Sequence, residues 1–279
     1  MSGIGESIMS KINFPKYIPN QFNVFQLIKI CKTEQYRNDF ISGRLYMSTI
    51  ENISNIERKE LTKGQCDRIE GTEEFWQSTK ENYMAMDYSN DKYVFKYFDK
   101  EPSDKTNLVE IYNVERGRYK NIYKNIYCMY TLWLNIQQKK VFDVSYKLIE
   151  SFGDYATIIL EPYIFLERIN KSISNYIENK MIFNSKPTIG FVEYIDFKNK
   201  GIIPLGVYKK RDAFIYQNEF RLCLDIEDNK DDLCYFEVGD LSDIVIKVST
   251  TDLVYNTRVV DDSLIIGNKK INFNLSKMI

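Results

Sequence analysis

Gln217, Glu219 and Arg221 alternate in the segment Tyr216-Gln217-Asn218-Glu219-Phe220-Arg221-Leu222. Alternate residues of a strand share a face, roughly 7 Å apart. A strand here therefore turns three polar groups one way and Phe220, Leu222 and Leu224 the other. That row can face a ligand, or it can be an exposed sheet face carrying a Glu–Arg pair. A second segment runs from Phe40 through Ile41-Ser42-Gly43-Arg44-Leu45-Tyr46-Met47-Ser48-Thr49. Leu45 and Met47 alternate there with Arg44, Tyr46 and Ser48. A ring flanked by a cation and a hydroxyl suits stacking on a flat group and holding a phosphate or ribose. A half-buried edge strand gives the same pattern. Asp67 and Glu70 offer two carboxylates three residues apart, but a hard-cation site needs several convergent oxygens. Lys209-Lys210-Arg211 is the densest local basic cluster, suited to phosphates or nucleic acid if it is not simply solvated. Cys128 reads as a small core hydrophobe.

The 279-residue chain contains no histidine. This excludes Ser-His and Cys-His nucleophile pairs and any His-containing zinc site. Carboxylate, Lys, Tyr and Ser/Thr chemistry remains, which suits a substrate that already carries a good leaving group. Net charge is -1, so bulk charge draws the chain to neither nucleic acid nor membrane. Apolar runs such as Ala156-Thr157-Ile158-Ile159-Leu160 are far shorter than the roughly 20 residues of a membrane-spanning helix. Met1 to Ser10 lacks the layout of a signal peptide. Five scattered cysteines, Cys31, Cys66, Cys128, Cys223 and Cys234, fit reduced thiols. Together these features predict a soluble cytoplasmic protein.

The elements that must position the candidates follow from periodicity. Phe14 to Ile18 reads as an extended segment ending at Pro19. Val24, Leu27, Ile28 and Cys31 recur at helical spacing and predict a helix from about Gln21 to Gln35. Strands are predicted at Arg44–Ser48, Tyr123–Leu134, Ala156–Leu160, Phe191–Phe197, Tyr216–Leu224, Leu233–Val238 and Ile244–Val248. Pro162 opens a helix with Phe165, Ile169, Ile173 and Ile177 as its buried stripe. Ser263 to Asn274 reads as a hairpin turning at Gly267-Asn268. The polar stretch around 87–107 reads as a surface excursion from a single domain spanning 1–279. Helices early and strands late predict an α+β fold. No dinucleotide or P-loop glycine motif is present.

Several stretches together resemble a widespread group of bacterial proteins. They are Phe40 to Tyr46, Asp67-Arg68-Ile69-Glu70-Gly71, Tyr127-Cys128-Met129-Tyr130, Phe152-Gly153-Asp154-Tyr155-Ala156, Tyr216 to Arg221 and Gly239-Asp240-Leu241-Ser242-Asp243-Ile244. The layout of that group is similar to ADP-ribosyltransferases, especially nucleic-acid-modifying toxins of phage-defence toxin–antitoxin systems. Gly43, Leu45 and Ser48 match the family's G-x-L-x-x-S strand, and Gln217-Asn218-Glu219 its catalytic Gln-x-Glu. The family's first element holds His or Arg, where this chain has Lys16 and Tyr17. The resemblance implies a mainly antiparallel split β-sheet with flanking helices and NAD as substrate. It implies Glu219 as the carboxylate that stabilises the ribose cation and Gln217 as the group that orients the acceptor. It also implies Tyr17, Arg44, Tyr46, Ser48 and Arg221 as NAD-holding residues. The implied acceptor is nucleic acid, RNA before DNA, with an antitoxin and a chaperone as partners. Two other classes stand beside it: a Mg²⁺-dependent nuclease using Asp67, Glu70 and Glu219, and an aromatic-rich interaction protein without catalysis.

Overall fold

In the computed structural model the described residues are 15–22, 24–53, 71–89, 94–111, 113–116, 122–178, 183–198, 201–226 and 233–272. Nine strands form the central antiparallel sheet: β1 (Val24–Cys31), β2 (Arg44–Thr49), β3 (Asn125–Asn135), β4 (Lys140–Val141), β5 (Tyr155–Ile159), β6 (Phe183–Phe191), β7 (Glu219–Ile226), β8 (Leu233–Glu237) and β9 (Val245–Ser249). Their order is β6-β7-β3-β1-β5-β9, with β2 joining β3 at its far end and β8 pairing with β2. The helices are α1 (Glu34–Ile41), α2 (Lys147–Phe152), α3 (Pro162–Glu178) and α4 (Thr250–Tyr255), with a 3₁₀ helix at Asp212–Gln217. The mixed α+β class therefore stands.

The two faces of the sheet are buried differently. On one, Phe25, Leu27, Leu45, Met47, Met129, Trp133, Phe220 and Leu222 pack with Phe165, Leu166, Ile169 and Ile173 of α3. On the other, Ile28, Tyr130, Leu132, Ala156 and Ile158 pack against Leu253 of α4 and the C-terminal sheet 257–260, 263–266 and 269–272. The predicted hairpin at Gly267-Asn268 lies in that sheet. Ile177, at the end of the predicted α3 stripe, is exposed.

The predicted helix at Gln21–Gln35 is replaced by β1, at the centre of the sheet between β3 and β5. Leu27 belongs to one core cluster and Ile28 to the other. A strand buried on both faces has no polar alternation, so its apolar run imitates helical spacing. Residues 15–22 form turns rather than an extended segment, closed by Ile18 N–H to the Pro15 carbonyl at 3.2 Å and Phe22 N–H to the Pro19 carbonyl at 2.8 Å. Strands also occupy 74–77, 83–87, 94–98, 108–110 and 113–116. Strands are thus not confined to the last third, while three of the four α-helices named above do lie in the first two-thirds of the chain. The excursion at 87–107 contains the exposed strand 94–98.

Two motif segments meet through their backbones. Gly43 has φ +84°, and a Cβ there would lie 1.9 Å from the Gly239 carbonyl oxygen. Val238 N–H bonds the Gly43 carbonyl at 2.9 Å, and Leu241 N–H bonds that of Ile41 at 2.8 Å. Glycine at 43 supplies both the positive φ and the close approach.

Candidate active site

The edge of β3 is shared between two strands that diverge. Tyr130 and Leu134 pair with Ile28 and Val24 of β1, while Ile126 and Asn125 pair with Ser48 and Thr49 of β2. Between them, at Tyr127-Cys128-Met129, the sheet is split. Lys29 of β1 reaches into this gap: its Nζ donates to the Cys128 carbonyl at 2.9 Å and sits 4.0 Å from the centre of the Tyr127 ring.

On the other edge of β3, Glu219 lies opposite Tyr130 and Arg221 opposite Cys128. Directly opposed residues share a face. Glu219, Arg221, Cys128 and Tyr130 thus look the same way, while Phe220, Leu222 and Leu224 point into the α3 core. They line a cavity of about 170 Å³ together with Lys29, Ile30, Ile53, Ile126, Met129, Leu148, Phe152, Lys210 and Gln217. A cavity of roughly 150 Å³ admits a benzene-sized ring. This one takes a fragment of that order, so any larger ligand extends through its open side.

Within this wall the charges are tightly organised. Lys210 Nζ lies 2.6 Å from Glu219 Oε1 and 2.9 Å from Gln217 Oε1. Arg221 places Nε 2.7 Å and Nη2 2.6 Å from Glu219 Oε2. Its Nη1 donates to the Val207 carbonyl at 2.5 Å. Arg221 is 0% exposed, Lys210 3% and Glu219 5%. Burial pushes the Glu219 carboxyl up, but Arg221 and Lys210 outweigh it and bring it down to about 2. The acid is therefore an anion at any physiological pH. A carboxylate has about four acceptor positions. Arg221 Nε fills one on Oε2 and Lys210 one on Oε1, which leaves acceptor capacity for an incoming hydroxyl.

The local backbone explains how these groups converge. Gln217 is not on the predicted strand; it ends the 3₁₀ helix. Asn218 follows with φ 40°, a left-handed conformation that Asn tolerates, and its carbonyl accepts from Thr131 N–H at 2.8 Å. The chain turns there, and Glu219 begins β7. Gln217 and Glu219 reach the same ammonium through this turn rather than by strand alternation. Glu219 N–H donates to Tyr194 Oη at 3.0 Å. Tyr17 packs edge-on against Tyr194 at 5.1 Å, and its buried hydroxyl has no hydrogen-bond partner among the described residues. Burial first, then the nearby Glu219, raises the Tyr17 hydroxyl far above the usual phenol range, so it is a neutral donor.

No family model, curated protein or solved structure matches this chain. The resemblance read from the motifs rests on those residues alone.

Of the predicted site residues, the structure brings Gln217, Glu219 and Arg221 together on the cavity. Tyr17 stands close to Glu219 without lining it. Arg44, Tyr46 and Ser48 do not line the cavity either, which corrects the expectation of a common pocket. Tyr46 stacks on Tyr36 at 6.0 Å and meets Tyr235 edge-on at 5.4 Å. Arg44 pairs with Asp39. Ser48 Oγ accepts from Asn52 Nδ2 at 2.9 Å. The split carries β2 away from β3 beyond Ser48, and Tyr46 goes with it to the β8 side. Asp67 and Glu70 lie outside the described residues. Among the described residues no group of three or more Cys, Asp or Glu side chains could hold a metal ion.

No local pattern in the sequence singles out Lys29, Lys210 or Tyr194 individually. The basic run was visible, but its members separate. Lys210 turns inward, Lys209 Nζ reaches the Pro204 carbonyl at 3.0 Å, and Arg211 lies over the Phe214 ring. A Lys seven residues before Gln217 and nine before Glu219 is a signal only once the 3₁₀ turn between them is known. None of the described helices is long and apolar enough to cross a membrane.

Proposed function

We propose that the chain transfers ADP-ribose from NAD to a nucleic-acid acceptor, RNA before DNA, with Glu219 as the group that stabilises the ribose cation. One observation carries this reading: a buried carboxylate, kept ionised by two fixed cations, faces a cavity at the split of the central sheet with acceptor capacity left for a hydroxyl. The C1′–N bond to nicotinamide breaks, and nicotinamide leaves as a neutral molecule with the bonding pair. The positive charge passes to the ribose, where a preorganised carboxylate in a low-dielectric wall stabilises it. An acceptor oxygen or nitrogen then bonds C1′, and its proton leaves to solvent. No step needs histidine or a general acid for the leaving group.

Arg221 fixes the orientation of Glu219. Gln217, whose carbonyl oxygen holds the Lys210 ammonium, acts as a positioning residue for that cation rather than meeting the acceptor directly. A chain with this activity would harm its own cell, so an antitoxin partner, with or without a chaperone, belongs to the same proposal.

The test is incubation with labelled NAD and separate pools of RNA, DNA and protein, with and without chelator. The expected result is label in nucleic acid, release of nicotinamide, and indifference to chelator. Label in none of the pools, with no nicotinamide released, overturns the reading. Nucleic-acid cleavage that chelator abolishes would replace it with the nuclease.

A further inference from the structure

A small sheet outside the central one runs in the order 94–98, 83–87, 108–110. Strand Val94–Phe98 pairs with Tyr83–Asp87 without a shift of register, from Phe98 opposite Tyr83 to Val94 opposite Asp87. On its other side no strand pairs with it among the described residues. An edge strand presents outward N–H and C=O groups at the spacing that a further strand satisfies. Edges that stay unpaired carry guards such as Lys, Pro or a bulge. β6, at the edge of the central sheet, has Lys186, Pro187 and shifts of register against β7. Val94–Phe98 has one guard, Lys96, and its ammonium is drawn back across its own sheet to Asp87. The other side chains are apolar and open: Val94 is 51% exposed, Phe95 41% and Tyr97 38%. Phe95 and Tyr97 share one face of the strand. Their ring centres lie 6.0 and 5.7 Å from that of Trp76. Val109, opposite Met86 on the far strand of the same sheet, is exposed as well.

We propose that Val94–Phe98 is a self-association strand, which pairs antiparallel with the same strand of a second copy about a two-fold axis at Lys96. The strand is complementary to its own reversal. In this register Phe95 lies opposite Tyr97 of the second copy, and Val94 opposite its Phe98. Aromatic–aromatic and aromatic–β-branched pairs are the favourable ones across an antiparallel ladder. A two-fold interface is isologous, so each pair occurs twice. The two Lys96 residues meet at the axis, where like charges repel. Each ammonium is instead held on the Asp87 of its own chain. Two three-stranded sheets thereby become one continuous sheet. A pairing of five residues a side falls below the roughly 1,200 Å² of a standard interface, which makes the dimer a weak one. Its Kd is expected between about 1 and about 100 µM. The proposal is independent of the transferase reading.

The experiment is sedimentation equilibrium of the full chain from about 1 to about 300 µM, a range that brackets the expected Kd, for wild type, Phe95→Lys and Tyr255→Lys. Wild type is expected to pass from monomer to dimer. Phe95→Lys sets a cation opposite Tyr97 of the second copy twice over and is expected to weaken association at least about tenfold. Tyr255, 66% exposed at the end of α4, lies outside the strand, and its replacement by Lys is expected to change nothing. Amide hydrogen exchange of wild type is followed at both ends of the concentration range, so that the result does not depend on a variant folding. Exchange within 94–98 is expected to slow as the dimer forms, while exchange in the opposite edge strand, 108–110, stays the same. A wild type that remains monomeric at about 300 µM overturns the proposal and leaves the edge to a strand of another protein. So does association that Phe95→Lys keeps or Tyr255→Lys loses, protection that grows at 108–110 instead of 94–98, or assembly beyond a dimer.

Discussion

Glu219 and Tyr46 were read from the sequence as two halves of one site, and the fold treats them oppositely. Glu219, Arg221 and Lys210 form a nearly water-free ion cluster on the cavity side of β7. Tyr46 belongs to an open patch with Tyr36, Tyr235 and Arg44, whose side chain is 49% exposed; Asp39, the partner of Arg44, is buried but keeps Gln35 as a second donor. Both regions contain an Arg–carboxylate pair, so the difference between them is solvent. In water-poor surroundings a charge left without its partner is severely destabilising; at the surface water replaces the partner. The comparison teaches that a carboxylate with chemical leverage is one the fold has removed from water without neutralising.

The largest effect should come from breaking the buried cluster. Arg221→Met leaves Glu219 with one cation and the Val207 carbonyl without its donor, and should lower stability by about 3–5 kcal/mol, measured by urea unfolding. Glu219→Gln should reduce transfer from NAD about 10²–10³-fold, the loss typical of removing one preorganised electrostatic group. It should also change how stability depends on pH. The folded Glu219 carboxyl lies at about 2, below its unfolded value of about 4.3. Its contribution to stability is therefore present above about pH 4.3 and is lost as pH falls towards 2. Wild type should lose more stability than Glu219→Gln across that window, read from urea midpoints at pH 5, 4 and 3. Equal losses would mean that Glu219 is not held ionised by its neighbours.

The smallest effects belong to the surface patch. Tyr46→Ala should cost about 0.5–1.5 kcal/mol through its aromatic contacts, and Arg44→Ala about 0–1 kcal/mol. Both should leave the transfer rate within about threefold of wild type. A hundredfold loss of transfer in Tyr46→Ala with normal folding would restore the common pocket that the structure separates.

Much of the site was legible because strand alternation is local. Glu219 and Arg221 share a face with Phe220, Leu222 and Leu224 opposed, as the spacing implied. β2, β3, β5 and β9 were found from their apolar patterns. β1 was missed because a central strand buried on both faces lacks the period-two signal, and its four spaced apolar residues matched a helix. Gln217 was placed on the wrong element because a 3₁₀ turn with a left-handed Asn218 keeps the side chains convergent while breaking the strand. Lys29 and Lys210 were illegible for a different reason. Their importance comes from which strands are neighbours: β1 lies across the split from the β7 acid, nearly 190 positions away in sequence. No local pattern reports that distance, and only the sheet order brings the two together.

The most direct measurement is release of nicotinamide from NAD by wild type and by Glu219→Gln, with both chains shown folded by circular dichroism. Release by wild type and a loss of about a hundredfold or more in the variant is the expected result. Equal release by the two proteins would contradict the role given to this carboxylate, and an inert wild type would leave the buried cluster as a feature of the fold alone.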